Sequence, residues 1–249
     1  MSNVEGRGAV QSQFAKQSGM LSKYRSIMVG NGGILALLLC EIINLLFMPL
    51  KSRLGESARK LFLNSQLGKV GRFISIGANC TIRNGKRIFI GDSVIIGNDV
   101  TLDVKPGMNK LVLGDNSRIG KGTIINCAGG EINIGKRTII ESFCRLGSLK
   151  GLKIGHDCTI GINSCIVGAG HSSRELDKPI IAQPITCNGT SFIGDFVTIG
   201  ERVTVFDGIR IGSHVKIAAD SLVNRDIPSN CNGSGTPVII TKKQYVLEK

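Results

Sequence analysis

Aliphatic residues return every sixth position through the second half of this chain. Residues 192–223 read FIGDFVTIGERVTVFDGIRIGSHVKIAADSLV. Here Ile193, Ile199, Val205, Ile211, Ile217 and Val223 hold one phase, and Gly194, Gly200, Gly212 and Ala218 follow four of them. A period of six matches neither a helix nor simple strand alternation. It matches a short strand and a tight corner, repeated, with one aliphatic side chain turned inward per repeat. Repeats of this length are the sequence sign of a parallel β-helix, in which each rung hydrogen-bonds to the next and the stacked aliphatics make one core.

The same phase extends upstream. Ile154, Ile160 and Ile166 are six apart; so are Ile134, Ile140 and Leu146; Leu113, Ile119 and Ile125; Ile90, Ile96 and Leu102; and Ile76 and Ile82. Three sixes make one triangular coil. The gaps between triplets are eight (82 to 90), eleven (102 to 113), nine (125 to 134), eight (146 to 154) and twenty-seven (166 to 193). All extra residues therefore fall after the third face, and insertions stack along one edge. Residues two before each aliphatic should also face inward, and they are mostly small or β-branched: Cys80, Val94, Ser117, Thr138, Cys144, Cys158, Ser164, Val197, Val203 and Ser221. The expected architecture is mainly β, a parallel β-helix of about seven triangular coils over residues 73–227. Loops are expected at 103–112, 126–133, 147–153 and 167–190. Residues 228–249 are expected to cap the open end as a strand or short helix, because the last rung otherwise exposes unpaired edge groups.

Composition suits a narrow prism: 249 residues with no Trp, two Tyr and thirty-three Gly. The eight cysteines form no CxxC pair. Several sit at inward positions, which reads as reduced thiols in a cytoplasmic protein rather than a disulfide framework. The net charge is +13, and residues 1–72 hold ten Lys or Arg against three Glu. Nucleic-acid binding would want cations interleaved with aromatics on a recognisable module. This chain offers neither, so phosphate-bearing small molecules or an anionic membrane surface are the expected partners.

Residues 1–25 are polar and mixed and read as a disordered tail. Residues 26–72 read as a helical segment. From Ile34 to Met48 only Glu41 and Asn44 are polar, and Glu41 would sit near the middle of any membrane span, where it is costly. Residues 51–65 follow, with Leu54, Leu61 and Phe62 among Lys51, Arg53, Arg59 and Lys60. An apolar face rimmed by cations is the pattern of a helix in the membrane interface, so peripheral membrane contact is expected through 26–65. Packing on the prism, contact within an oligomer, and a true span are the alternatives.

Three histidines are candidates for chemistry. His156 and His214 follow Ile-Gly pairs at coil corners and read as solvated corner residues. His171 stands where the repeat stops and the longest loop begins, just after Gly168 and Gly170.

The stretch GAGHSSREL, then Pro-Ile-Thr, then SFIGDFVTIGERVTVFDGIRIGSHVKIAADSLVNRDIP, then GTP, resembles the hexapeptide-repeat acyltransferases, in particular their galactoside, maltose and polysaccharide O-acetyltransferase branch. The match covers about residues 73–240. The resemblance implies a left-handed β-helix, a homotrimer with active sites between neighbouring prisms, and direct transfer from acetyl-CoA to an acceptor hydroxyl or amine. It implies no metal. It makes His171 the general base and places the carrier along Gly200, Ala219, Asn224 and Arg225. Where relatives end this stretch in Thr-Lys, Asn224-Arg225 keeps a cation for phosphate. The family's Trp-Ile-Gly corner reads Thr198-Ile199-Gly200. Its later basic position is absent, with Lys242 or Lys243 as substitutes. The acceptor is expected against Glu141 and Arg145 upstream, and Glu175 or Asp177 is expected to orient the imidazole.

The expected function is acetyl-CoA-dependent O-acetylation of a sugar or surface glycan, at the inner face of the cytoplasmic membrane. N-acetylation of an amino sugar is the alternative within the fold. Zinc carbonic anhydrases share the fold but need three histidine ligands, including a pair five apart that this chain lacks. A non-catalytic scaffold would need neither His171 nor the IAADSLVNRDIP segment.

Overall fold

Each coil lays down three short strands, and a computed structural model of the chain describes residues 19–107 and 109–242. The first face runs from Lys69–Val70 to Arg210–Ile211, the second from Ser75–Ile76 to Lys216–Ile217, and the third from Thr81–Arg83 to Leu222–Val223. Seven strands stack on each face, giving the seven expected coils. Pairing is parallel and in phase throughout the prism. Ile134 lies against Ile154, which lies against Ile193, which lies against Ile211. Every aliphatic of the hexapeptide phase is buried, none more than 5% exposed. Full burial stabilises by roughly 1.5–3 kcal/mol per such side chain, so the stack is the main source of stability.

The small inward residues do more than save space. Thr138 Oγ1 donates to Gly155 O at 2.8 Å and accepts from Cys158 N at 3.2 Å. Ser164 Oγ donates to Gly200 O at 2.9 Å and accepts from Val203 N at 3.1 Å. Cys144 and Cys158 reach Gly161 O and Gly194 O, each at 3.1 Å. Each side chain thus satisfies a corner carbonyl of the following coil, which the strand pairing leaves over. Burial pushes the Cys80, Cys127 and Cys144 thiols up to about 11. All eight cysteines are free.

Two of the three corners are tight and turn through the left-handed region. The third residue after the aliphatic has φ between 54° and 61° at Asn79, Asp99, Phe143, Asn163, Arg202 and Asp220 on the second–third corner. The same holds at Phe73, Ser93, Asn116, Arg137, Asp157, Phe196, His214 and Asn230 on the first–second corner. Such a conformation costs a non-glycine residue on the order of 1–2 kcal/mol. Ladders between neighbouring coils offset part of that cost. Arg137 forks onto Asp157 at 2.6 Å, Arg202 forks onto Asp220 at 2.7 Å, and the Phe196 and His214 rings stack at 4.9 Å. His156 and His214 therefore are corner residues, as their position in the repeat suggests.

The third edge collects the insertions, but mostly as longer strands rather than loops. Strands Thr101–Val104, Ile124–Cys127 and Arg145–Ser148 continue past their aliphatics, and their successors begin early at Lys110, Glu131 and Leu152. Three of the four expected loops shrink accordingly. Among the described residues, 167–190 is the one expected loop that leaves the prism.

The N-terminal boundaries differ from expectation. A helix α1, Met20–Val29, begins inside the stretch read as a tail. Residues 1–18 lie outside the described residues, as do 108 and 243–249. Helices α2, Ile34–Leu46, and α3, Arg53–Gln66, follow, and the first strand starts at Lys69 rather than 73. Ser52 caps α3 by accepting from Gly55 N at 3.2 Å. Ile43, Met48, Leu63 and Leu67 plug the first coil as part of the main core. Arg59, 3% exposed, pins the plug by donating to Ile76 O at 2.9 Å, Phe47 O at 3.1 Å and Leu50 O. Part of the segment thus packs on the prism. At the other end Cys231–Ser234 and Ile239–Lys242 form an antiparallel hairpin that continues the second face, which is the expected cap in strand form.

Asn163 tests the corner geometry. Asn163→Val should cost about 1–2 kcal/mol by urea denaturation, while Asn163→Gly stays near wild type. The Arg137 ladder sets an acid limit. Arg137, and next His156, hold the Asp157 carboxyl down at about 2. Its contribution is present above the ordinary carboxylate range and is lost as pH falls through about 2. Arg137→Gln should therefore raise the midpoint of acid unfolding, followed by circular dichroism between about pH 4 and pH 2.

Candidate active site

Leaving the prism requires a close backbone crossing. The third face ends with Cys165–Ile166, and Val167 N makes the last rung contact, to Val205 O at 2.9 Å. The chain then crosses beneath the preceding coil at Gly168, where a Cβ would stand 2.6 Å from Ser148 N and 2.7 Å from Gly147 C. Only glycine fits that crossing. Gly170–His171 next pairs antiparallel with Ile185–Thr186, so His171 sits opposite Ile185 at the root of a projecting arm. Its side chain is exposed.

Residues 172–184 close the arm, and Gln183 organises them. It is 4% exposed in an otherwise exposed loop. Its Nε2 donates to Glu175 O at 2.7 Å and Lys178 O at 3.0 Å, and its Oε1 accepts from Glu175 N at 3.1 Å. The Gln183 carbonyl oxygen lies 3.1 Å from His171 Nδ1. A carbonyl only accepts, so Nδ1 carries the proton and Nε2 keeps its lone pair. The expected carboxylate orienter is corrected here. Glu175 is taken up by Lys178, and the imidazole is held by a backbone carbonyl. Gln183 escaped the sequence reading because its role depends on the loop folding back on it, and no local pattern marks that.

A cleft of ≈ 200 Å³ lies beside the arm on the third face. Asn126, Arg145, Ser148, Cys165, Gly168 and Ile185 are among its lining residues. Arg145 is therefore brought to the arm, through Ile185, the partner of His171. Its guanidinium has no ion pair with another described residue, and the Asn126 Oδ1 in the same wall is buried without a hydrogen-bond partner. Glu141 lies on the second–third corner, in the column otherwise held by Gly120, Gly161 and Gly200, across the third face from the arm. Glu175 is on the arm itself, with its carboxylate on Lys178.

The expected carrier residues divide between two edges. Gly200 and Ala219 share the second–third corner, and a Cβ on Gly200 would meet Ala219 N at 2.5 Å. Gly200 is thus required by the stacking of coils. Asn224 and Arg225 follow Leu222–Val223 on the third–first edge, the edge from which the arm projects. They lie two coils beyond Cys165–Ile166, about 10 Å along the axis at the usual strand spacing. Arg225 is exposed, with no partner among the described residues. A free cation on the arm's own edge fits a phosphate-bearing carrier. Lys242 is exposed in the terminal hairpin, and Lys243 lies outside the described residues.

The three histidines do not converge within one chain. His156 and His214 occupy the first–second corner and His171 the arm. His156 is already engaged, Nδ1 to Asp157 at 2.6 Å and Nε2 to Asp195 at 3.2 Å. Among the described residues no group of His, Cys, Asp or Glu is arranged to hold a metal ion.

Comparison with known proteins agrees with this architecture. No family model matches the chain. An acyl-[acyl-carrier-protein]–UDP-N-acetylglucosamine O-acyltransferase of Campylobacter concisus (strain 13826) is 26% identical over 175 residues, covering 64% of this chain and 65% of that protein. This chain therefore spans slightly less than two thirds of that relative. WbbJ of Escherichia coli (strain K12), whose name assigns it provisionally to O-acetyl transfer in lipopolysaccharide biosynthesis, is 30% identical over 137 residues, 52% of this chain and 70% of its own length. Among solved structures, a variant of AntD, an N-acyltransferase from Bacillus cereus, superposes with a TM-score of 0.53 at 19% identity. That match covers 76% of this chain and 89% of AntD, which was crystallised with dTDP-4-amino-4,6-dideoxyglucose and coenzyme A. With the repeat, the seven-coil prism and the WbbJ likeness together, the chain belongs to the hexapeptide-repeat acyltransferase family.

Proposed function

We propose that the chain transfers an acetyl group from acetyl-CoA to a hydroxyl of a sugar or surface glycan, with His171 as general base. The observation that carries this reading is the bond between His171 Nδ1–H and the Gln183 carbonyl. It leaves the Nε2 lone pair free at the root of an arm that borders a cleft carrying Arg145 and Asn126. A sugar hydroxyl is a weak nucleophile near neutral pH. Nε2 takes its proton as the hydroxyl oxygen forms a bond to the thioester carbon. The carbon–sulfur bond then breaks, and the imidazolium returns the proton to the departing thiolate. The products are the acetyl ester and free CoA thiol. Developing positive charge on the imidazole is stabilised by the Gln183 carbonyl dipole.

Carrier binding along the last coils rests on Arg225 and on the coenzyme A held by AntD. Assembly as a homotrimer, with His171 at the seam between prisms, rests on the family resemblance and on the exposure of the arm. Membrane-surface location at the inner face rests on α2. Leu35, Leu38, Ile42 and Leu45 line an outer stripe, each between 49% and 77% exposed. The helix's one carboxylate, Glu41, is turned onto α1, where it accepts from Tyr24 OH at 2.6 Å. Among the described residues no single helix is long and apolar enough to cross a membrane; α1 and α2 together pass by length and composition but are bent by 69°.

His171→Ala should lower acetyl transfer about 100- to 10,000-fold, read as CoA thiol release with a panel of hydroxyl and amino sugar acceptors. The same variant should keep the rise in melting temperature that CoA confers on wild type. Unchanged turnover would reject the base assignment, and transfer to amines alone would reject the hydroxyl acceptor. Gln183→Leu leaves loop groups unpaired at a local cost of about 1–3 kcal/mol. It should speed proteolysis within 172–184 and lower kcat, with the KM for acetyl-CoA unchanged.

A further inference from the structure

A second cavity, of ≈ 380 Å³, lies at the other end of the molecule, between the α1–α2 turn, the end of α3 and the first coil. Its size is that of a small-molecule site. One wall is apolar, with Val29, Ala36, Leu39 and Cys40. The facing wall carries Gln66, Lys86 and Arg87. None of these residues belongs to the acyl-transfer site.

Three observations give the cavity a ligand chemistry. Lys86 Nζ donates to Ser65 O at 2.6 Å, which holds the ammonium in place and leaves it further protons to donate. The Arg87 guanidinium has no partner among the described residues. Gln66 Nε2 is buried with no hydrogen-bond acceptor, a donor left over on the same wall. Two cations and an orphaned donor suit a phosphate. The opposite wall suits hydrocarbon. Leu39 belongs to both surfaces: it lines the cavity and is 39% exposed on α2, beside the stripe of Leu35, Leu38 and Ile42. The surrounding charge agrees, since residues 19–87 hold eleven Lys or Arg against two Glu.

We propose that this cavity binds one anionic phospholipid drawn from the bilayer on which α2 rests. The phosphate sits on Arg87, Lys86 and Gln66, and an acyl chain lies along Leu39 and Ala36. The inference rests on the membrane-surface reading above, and adds to it a headgroup-selective seat that fixes how the prism stands on the membrane.

Flotation of the full chain with vesicles tests both statements separately. Wild type should float with phosphatidylcholine vesicles containing phosphatidylglycerol, and poorly with phosphatidylcholine alone. Lys86→Gln with Arg87→Gln should weaken the anionic binding by roughly 20- to 30-fold, at about fivefold per cation. Leu38→Gln with Ile42→Gln should abolish it on both vesicles. Because the chain has no Trp, Leu39→Trp supplies a reporter in the cavity that does not depend on the charge variants folding. Phosphatidylglycerol with brominated acyl chains should quench its emission. Equal flotation on both vesicle types, with no loss in the cation variant and no quenching, overturns the lipid seat and leaves the surface reading standing. No flotation of wild type on either vesicle overturns both, including the case in which Leu38→Gln breaks a larger assembly and α2 is shown to cover a second copy. A response of the Leu39→Trp indole to glycerol 3-phosphate alone, without vesicles, would assign the cavity to a soluble phosphate and overturn the lipid.

Discussion

Each aliphatic side chain in the prism stands on one of its own kind in the coil below, at the strand spacing of about 4.8 Å. That stacking demands a constant phase. A coil displaced by one residue would turn its whole inward set to solvent and its outward set to the core. The fold therefore tolerates added residues only where the phase can be regained before the next face, and the third–first edge is where it is regained. The tight corners allow no such slack. They hold the chain in left-handed turns at Asn163, Arg202 and their equivalents, and a Cβ at Gly200 would strike the next coil.

Function follows from that restriction. A projecting arm can leave only from the permissive edge, and the one long excursion does so after Ile166. The arm carries His171, and the prism gives its root a rigid floor. The same edge, two coils further, presents Arg225. An imidazole on a short antiparallel pair and a cation two coils away are thus aligned along one edge by the stacking period rather than by any direct contact. Thr138, Ser164, Cys144 and Cys158 have a quieter part: each caps a corner carbonyl as the narrow core closes.

The ends of the prism are less regular, because nothing there repeats. Ile43, Met48, Leu63 and Leu67 close one end and the Cys231–Lys242 hairpin the other. The helical plug buries a narrow stripe of α2, Leu37, Cys40 and Ile43, and leaves most of that helix apolar and uncovered. A helix that is hydrophobic nearly all round gives no periodicity from which the buried side can be picked. The place of Glu41 is hidden for a related reason: it meets Tyr24, which stands in the part of α1 that reads as a tail.

The hexapeptide phase alone determined the three faces, the seven coils, the inward residues and the edge that takes insertions. It did so because each repeat meets only its neighbours, so local pattern and global fold are the same information. The break in the phase at His171 was visible for the same reason. The tertiary structure decided what lies outside the repeat. It chose the Gln183 carbonyl over Glu175 or Asp177 as the group that orients His171. It put Glu141 across the third face from the arm while bringing Arg145 beside it, and it divided α2 into a buried and an exposed side. Each of these depends on segments far apart in the chain meeting in space, and no spacing along the chain encodes such a meeting.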